Sequence, residues 1–557
     1  MSHNLRDTPL GALLRLTGFK GSLLYAEELP DYQAPVQVGT PTEHGKHESS
    51  TGKDDPLQHK SPARLVAWNG PDDKDNPRNW SPAKKRWVMT IITLYTFVVY
   101  TSASVIIPIV DIVIERYSVS LDVATMGLSV YVFGYALGPL LWSPLSELRF
   151  VGRNPPYLYS FIVFIIISLV LCWIDNYAAF IVLRFFQAFF GSPPLATGVA
   201  SIDDIYNVYS APYAYSLWVL AQYVGPAVGP VIAAYTINTS FRWPLREVVI
   251  ISIPVLILLL LLPETSHSNI LLRRARRIRL ATGDNQYHSA AELEPITFSS
   301  IITNTMIKPT EISMKDPAIG FAAVYSMLVY GVYYSFFECF PIVYLERYHF
   351  TTQSLSLTFI SLGLGGFIGY LTYCLYLHTF FIPRARAYHA KHARPVPQED
   401  WLIPGLFGVF GVSAFLFMFA WTANSGSIHW IVPNIATTFQ AVSSFWVFQA
   451  IICYIVLSYP RYVASLFAAN DLCRSTAAAA MVQSTHYLYV NLGIGKGVSL
   501  IASVAVIGIV GMFVLWRWGG WLRARSKFTG GERVEGQVER KVEGKGEGGP
   551  KEKAAES

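Results

Sequence analysis

The chain has 557 residues, of which 52% are hydrophobic, 14% aromatic and only 14% charged, with 43 Lys and Arg against 37 Asp and Glu. A soluble domain carries about 25% charged residues, and the mean hydropathy here is +0.35 even though Met1 to Arg86 and Thr529 to Ser557 hold much of the charge. These figures exclude a string of soluble domains, a coiled coil and a disordered chain, and a net charge of +6 is too mild for a nucleic-acid partner. The bulk is an integral membrane protein.

Residues 1–86 read as a polar, mostly disordered tail. Within it Leu5, Leu10, Leu13, Leu14 and Leu16 fit either a short helix lying on a membrane surface or a partly helical tail. No signal-peptide core is expected there, and 33–64 reads as linker. A helix needs about 20 apolar residues to cross the hydrocarbon layer. Six such runs lie near 87–109, 123–144, 156–174, 178–200, 211–236 and 244–262, giving an N-terminal six-helix bundle over 87–262. A basic central loop over 263–316 follows. Six further runs lie near 317–341, 355–377, 402–421, 429–457, 463–490 and 496–518, a C-terminal bundle over 317–518, and 519–557 reads as a disordered tail. The predicted fold class is all-α membrane, with twelve transmembrane helices as two six-helix bundles.

Lys and Arg set the orientation. The side shared by the two termini receives Lys84, Lys85, Arg86, Arg149, Arg153, Arg273 to Arg279, Arg384, Arg386 and Arg461. The opposite side holds Arg116, Arg242, Arg246, Arg347 and Lys496. Both termini are therefore expected in the cytoplasm. The five cysteines lack disulfide or zinc spacing and read as packing residues.

Three stretches carry chemistry. At the inner end of span 2, Gly138-Pro-Leu-Leu-Trp-Ser-Pro-Leu-Ser-Glu147 is followed by Gly152 and Arg153. Its small residues allow close helix approach, and Glu147 with Arg153 suits a charge-paired latch at the cytoplasmic mouth. In span 5, Gly225-Pro226 and Gly229-Pro230 open the helical ladder twice and suit a kinked helix. In span 4, Arg184 stands one turn before Gln187. A charge at that depth is costly unless paired or hydrated, so Arg184 should face a polar cavity or reach for the surface.

Other ionisable groups within the spans are few. Asp471 and Arg474 are spaced to touch on one helix face, and proton binding to Asp471 would free Arg474. Glu338 lies late in span 7 as a candidate proton carrier or cation-recognising anion. Tyr330, Tyr334, Phe337, Phe445 and Trp446, with Gln187, are candidate lining for a substrate cavity, aromatic faces favouring flat or cationic ligands. No phosphate loop is present, so ATP use is not expected; Gly363 to Gly369 fits helix packing. His389 and His392 lack further ligands, so neither metal nor cofactor is assigned. Asn238 opens a glycosylation sequon in an outer loop.

At these residues the chain resembles the major facilitator superfamily. Ser146-Glu147 with Gly152-Arg153 is similar to its loop-two motif, Arg184 with Gln187 to its span-four motif, and Gly225-Pro226 with Gly229-Pro230 to the span-five motif of its drug antiporters. Val66-Ala-Trp68, Asp75-Asn-Pro77-Arg-Asn79-Trp80, Pro263-Glu264-Thr265-Ser266, Arg273-Arg274-Ala-Arg276-Arg277 and Ala469-Asn470-Asp471 resemble the fungal branch of twelve-span drug:proton antiporters. Three positions depart from that pattern: Ala188 after the Gln, the doubled acid Asp203-Asp204, and Arg149-Phe-Val before Gly152.

The resemblance implies secondary active efflux of drug-like or secondary-metabolite compounds by proton antiport with alternating access. It implies no enzymatic activity, and as partners only a small organic solute, protons and the lipid bilayer. Plasma membrane is the expected location, with vacuolar membrane the alternative. A proton-coupled importer of a sugar, amine or vitamin, or a transport-dead sensor, are the rival readings.

Overall fold

Proline and capping side chains set the starts of the helices, and apolar runs carry them onward. The computed structural model describes residues 5–18, 23–29, 64–293, 311–312, 315–424, 426–459 and 463–525. The expected linker over 33–64 lies outside them apart from Arg64, as does the tail beyond Arg525.

Spans 1 to 6 are Pro82–Ser104, Leu121–Glu147, Asn154–Leu171, Tyr177–Gly191 continued by Pro193–Ile205, Ala211–Thr236 and Trp243–Leu260. Spans 7 to 12 are Pro317–Phe340, Ile360–Tyr376, Ile403–Thr422, Ile431–Ser458, Val463–Leu492 and Ile494–Arg525. Span 8 is lengthened by Thr352–Thr358 before it and Ile382–His392 after it. Span 1 begins before the apolar run does, because Ser81 Oγ accepts the Lys84 N–H (3.3 Å) and Pro82 occupies the first turn. Span 12 stays helical to Arg525, past the expected end at 518.

Among the described residues, eleven helices are long and apolar enough to cross a bilayer by length and composition. Val463–Leu492 is long enough at 30 residues, but Asn470, Asp471, Arg474, Gln483 and His486 dilute its apolarity. It is sheltered between spans 2 and 7, so lipid does not have to solvate those groups.

The packing repeats with a shift of six helices. Span 1 meets 5, 2 meets 4, 3 meets 4 and 6; likewise 7 meets 11, 8 meets 10, and 9 meets 10 and 12. The two bundles join through equivalent pairs, span 2 with 11 and span 8 with 5. Small residues permit the closest approaches. A Cβ at Gly225 would lie 2.8 Å from the Tyr100 Cβ, at Gly366 2.5 Å from the Tyr223 Cβ, and at Gly365 2.4 Å from the Thr438 carbonyl. Span 5 remains one helix with Pro226 and Pro230 inside it; its glycine pair sets the approach to span 1.

The start of span 1 and the end of span 12 fall on one face of the bundle, here the terminal face; the other is the distal face. On the terminal face β1 (Arg64–Val66) pairs in parallel with β2 (Tyr287–Ser289) of the central loop. Beside them Arg274, on the loop helix His267–Thr282, is 3% exposed. It donates to Asp73 (2.7 Å), Asp75 (2.9 Å) and Glu27 (2.9 Å), while Arg6 adds a contact to Asp75 (2.8 Å). Burial alone would push the Asp73 carboxyl up, but hydrogen bonds from Arg274 and from the Asn69 and Asp75 N–H groups hold it below its ordinary value. Burial opposes the charge on Arg274 too, and its acids raise it above the usual range. The short helix Pro9–Leu16 leaves Leu13 and Leu16 exposed.

Candidate functional site

Two cavities lie between the bundles, one toward each face. The terminal-side cavity, about 530 Å³ of empty space, is lined by spans 4, 5, 7, 10 and 11, including Trp218, Gln222, Tyr330, Tyr333, Phe448, Asn470, Asp471 and Arg474. The distal cavity, about 910 Å³, is lined by residues at the distal ends of spans 1, 2, 7 and 11 and by the helix before span 8.

Span 11 places Asp471 and Arg474 one turn apart, and their side chains pair directly. Both are buried, at 1% and 5% exposure. Asp471 Oδ1 also accepts from Ser475 (3.4 Å), whereas its Oδ2 has no partner among the described residues. Arg474 reaches into the other bundle, donating to Tyr100 Oη (3.3 Å) and Gln222 Oε1 (3.4 Å), with its guanidinium 4.4 Å from the Tyr330 ring centre. A guanidinium shared between halves in this way is an interaction that relative motion must break.

A belt of buried phenols separates the cavities. Tyr135 Oη of span 2 lies 2.9 Å from Tyr330 Oη and 2.8 Å from Tyr334 Oη of span 7, and Tyr330 lies 3.2 Å from Tyr100 of span 1. Tyr333 donates to the Tyr223 carbonyl (3.0 Å), within the proline-bearing span 5. Beyond the belt, Glu338 forms part of the distal cavity, with His486 Nδ1 3.9 Å from its carboxylate. Nearby, Gln483 donates to Thr125 (3.2 Å) and Ser129 (2.8 Å), and Tyr487 donates to Asp122, fastening span 11 to span 2.

Arg184 is fully enclosed instead of facing a cavity. It donates to the carbonyls of Ser102 (2.8 Å), Ala103 (3.0 Å) and Gly127 (3.2 Å) and to Gln187 Oε1 (3.1 Å), over the Tyr131 ring. Gln187 in turn donates to Ser168 (2.7 Å), so it orients Arg184 and lies away from both cavities. Of the remaining aromatic candidates, Tyr330 and Phe337 line cavities and Tyr334 belongs to the belt. Phe445 instead packs on Gly369, and Trp446 donates to Thr372 of span 8 (3.1 Å). Helical spacing puts these two on the face toward span 8, and Phe448 and Ile452 line the cavity in their place.

The loop after span 2 differs from the expected latch. Arg153 Nε donates to Asp204 (3.1 Å) and its Nη1 to Ser146 (2.9 Å), so the second acid of Asp203-Asp204, not Glu147, takes the ion pair. Gly152 has φ +80°, a backbone region that favours glycine, and a Cβ there would lie 2.5 Å from the Glu264 carboxylate. Glu264, 2% exposed, accepts the N–H groups of Arg153 (2.9 Å), Asn154 (3.2 Å), Thr265 (3.0 Å) and Ser266 (3.0 Å). It fixes the start of span 3 to the start of the central loop. Gly225 and Gly229 lie against span 1, Pro226 and Pro230 are buried within span 5, and Asn238 is exposed in the turn after it.

Sequence reasoning missed Tyr100, Tyr135, Gln222 and His486. An uncharged polar group in an apolar run was the available signal for each, and it was weak because tyrosine and glutamine are common in such helices.

Comparison with known proteins gives a consistent result. The model of the Major Facilitator Superfamily matches residues 92–482. The chain is similar to an MFS-type transporter, pyvG, of Aspergillus violaceofuscus, 36% identical over 95% of this chain and 100% of that one. It is also similar to the multidrug transporter FLR2 of Candida glabrata, 35% identical over 87% of this chain and 82% of the relative. Among solved structures, a proton:xylose symporter shares the fold with a TM-score of 0.55 at 15% identity, over 79% of this chain and 96% of the other.

Proposed function

The chain belongs to the major facilitator superfamily, and we propose that it is an efflux carrier that exports drug-like or secondary-metabolite organic compounds in exchange for protons. As a member of that family it is a multi-pass membrane transporter and not an enzyme. The observation that carries the proton coupling is the Asp471–Arg474 pair, buried in the wall of a cavity shared by both bundles and tied across to Tyr100 and Gln222.

The free Oδ2 of Asp471 is a place for a proton. Protonation removes the charge that holds Arg474, whose guanidinium then rests on the Tyr330 ring and on Tyr100 and Gln222 of the other bundle. Proton binding on one helix thereby changes the strength of the contact between halves, which is what coupling by alternating access requires. Each unit of pH difference supplies about 1.4 kcal/mol per proton, enough for roughly tenfold accumulation per proton exchanged. Glu338 is the second proton-handling candidate, and Arg184 is a support that keeps spans 1, 2 and 4 together. Gly152 and Arg153, held by Glu264, Asp204 and Ser146, form the terminal-face gate. The asymmetry of Lys and Arg supports cytoplasmic termini, and the efflux role supports the plasma membrane.

The test is purified protein in liposomes under an imposed pH gradient. Export of a lipophilic dye coupled to proton entry into the lumen is expected. No movement of either solute or protons overturns the reading, and cysteine labelling that puts the two termini on opposite sides overturns the topology.

A further inference from the structure

A groove on the outer surface of the second bundle, away from both cavities, has a chemistry of its own. We propose that it binds a membrane sterol, whose single hydroxyl is received by Asn434 and Ser361.

The groove runs between spans 8 and 10 toward the distal face and holds about 1200 Å³ of empty space. Both helices start at that face, and a Cβ at Gly365 would lie 2.4 Å from the Thr438 carbonyl, so the two backbones touch behind it. Leu357, Ile360, Leu364, Ile431, Ile435 and Phe439 form walls that are exposed on the protein surface and therefore open to lipid.

Polar groups on the floor set the ligand's chemistry. Asn434 and Ser361 line the groove but are only 6% and 8% exposed. Asn434 Nδ2 donates to the Trp430 carbonyl (3.3 Å), whereas Asn434 Oδ1 and Ser361 Oγ have no partner among the described residues. The groove's other hydroxyls are taken. Ser354 accepts from Thr351 (3.1 Å), Thr358 donates to the Leu355 carbonyl (2.7 Å), and Thr438 donates to the Asn434 carbonyl (2.9 Å). Ser361 and Asn434 each stand one turn before the Gly365–Thr438 contact on parallel helices, so the two open groups share one depth. Leaving them unmatched in an apolar surrounding is costly. A ligand hydroxyl can donate to the carboxamide oxygen and accept from the serine, whose hydroxyl turns to meet it.

The walls decide which hydroxyl compound fits. No ionisable side chain lines the groove, and Arg347, the nearest arginine in sequence, is turned to the Asn424 carbonyl. A phosphate or a fatty-acid carboxylate would therefore lack a counter-charge. From Leu357 to Ile368 the wall runs about 16 Å at a helical rise of about 1.5 Å per residue, close to one leaflet of a hydrocarbon layer about 30 Å thick. The occupant is thus neutral, about one leaflet long, and carries a hydroxyl. Branched and ring side chains hold few rotamers and make stiff walls. These suit a rigid ring system, which loses little freedom on binding, better than a diacylglycerol, whose two flexible chains must be ordered.

The experiment uses the full chain in phosphatidylcholine nanodiscs with a diazirine-bearing photoreactive sterol, and maps the labelled peptides by mass spectrometry. Labelling is expected within 354–368 and 430–439 and should be displaced by excess unlabelled sterol. The methyl ether of that sterol, which cannot donate, and dioleoylglycerol should each compete about fivefold less well or worse, the worth of one hydrogen bond. Asn434→Leu and Ser361→Ala should each lower labelling about fivefold at a limiting probe concentration. Labelling spread over all lipid-facing helices and not displaced by sterol overturns the proposal. Equal competition by the methyl ether or by dioleoylglycerol also overturns it, and neither result depends on a variant folding. No cargo enters the measurement, so each of these outcomes leaves the efflux reading standing.

Discussion

Two arginines buried within the membrane, one in each bundle, solve the same problem in opposite ways. Arg184 is surrounded by groups of its own bundle, the Ser102, Ala103 and Gly127 carbonyls and Gln187, with no carboxylate among the described residues. Arg474 takes one carboxylate from its own helix and the Tyr330 ring from its own bundle, and its other hydrogen bonds, to Tyr100 and Gln222, from the opposite bundle. Main-chain carbonyls do not titrate, and they move with the helices that carry them. The environment of Arg184 is therefore the same whether the halves are open or closed to a given side. That of Arg474 depends on the position of the halves and on a proton. The first arginine fastens a bundle together; the second senses the relation between bundles.

Breaking the first arrangement should have the largest effect. Arg184→Leu removes the donor shared by the Ser102, Ala103 and Gly127 carbonyls and Gln187 and is expected to cost about 1–3 kcal/mol for each acceptor left unsatisfied, seen as loss of monodisperse protein on size-exclusion chromatography. Arg184→Lys should recover only part of that, since an ammonium does not span three separated acceptors. Asp471→Asn sharpens the contrast: thermal stability should stay near wild type while substrate-driven proton movement falls by about 100-fold, the upper range for energetic coupling. A large fall in Tm for this variant would mean that the pair is structural. Tyr100→Phe removes one cross-bundle contact of Arg474, worth about 1 kcal/mol, and should slow transport by roughly fivefold with little change in Tm. If it slows transport no more than Trp446→Phe does, the cross-bundle role of Arg474 is wrong.

The smallest effect belongs to a third arginine, Arg274 on the terminal face. Its partner Asp73 is held below the ordinary carboxylate value of 3.8. That stabilisation is fully present above this value and is lost as the pH falls through the lower folded-state value. Hydrogen exchange of residues 64–80, relative to the intrinsic rate at each pH, should therefore speed up on acidification below about pH 4. In Asp73→Asn it should already be faster at pH 7, with a shallower acid response.

Hydropathy made eleven spans legible, because each is a long apolar run. Val463–Leu492 was read as an apolar run like the others, although Asn470, Asp471 and Arg474 interrupt it. Asp471, Arg474 and Glu338 stood out in the sequence because charge is rare in such surroundings. Their surroundings did not, since the shell of Arg474 comes from residues about 250 and 370 positions away and no local spacing encodes that. The loop after span 2 illustrates the same limit. Gly152 and Arg153 were visible as a motif, yet the carboxylates that hold them, Glu264 at the start of the central loop and Asp204 in span 4, had to be located in space.

The clasp between the amino-terminal segment and the central loop sets an order of assembly. Asp73 and Arg274 are 201 residues apart, which at about 5–20 residues per second of synthesis is a delay of about 10–40 s. During that interval the ribosome delivers the whole first bundle while the acids of the early segment wait without their arginine. The segment closes only once the sixth helix has been threaded and the loop has emerged, so its closure marks the first bundle as finished before the second begins. A truncated nascent chain stopped ahead of residue 267 should leave that early segment open to protease, whereas one released beyond residue 293 should protect it.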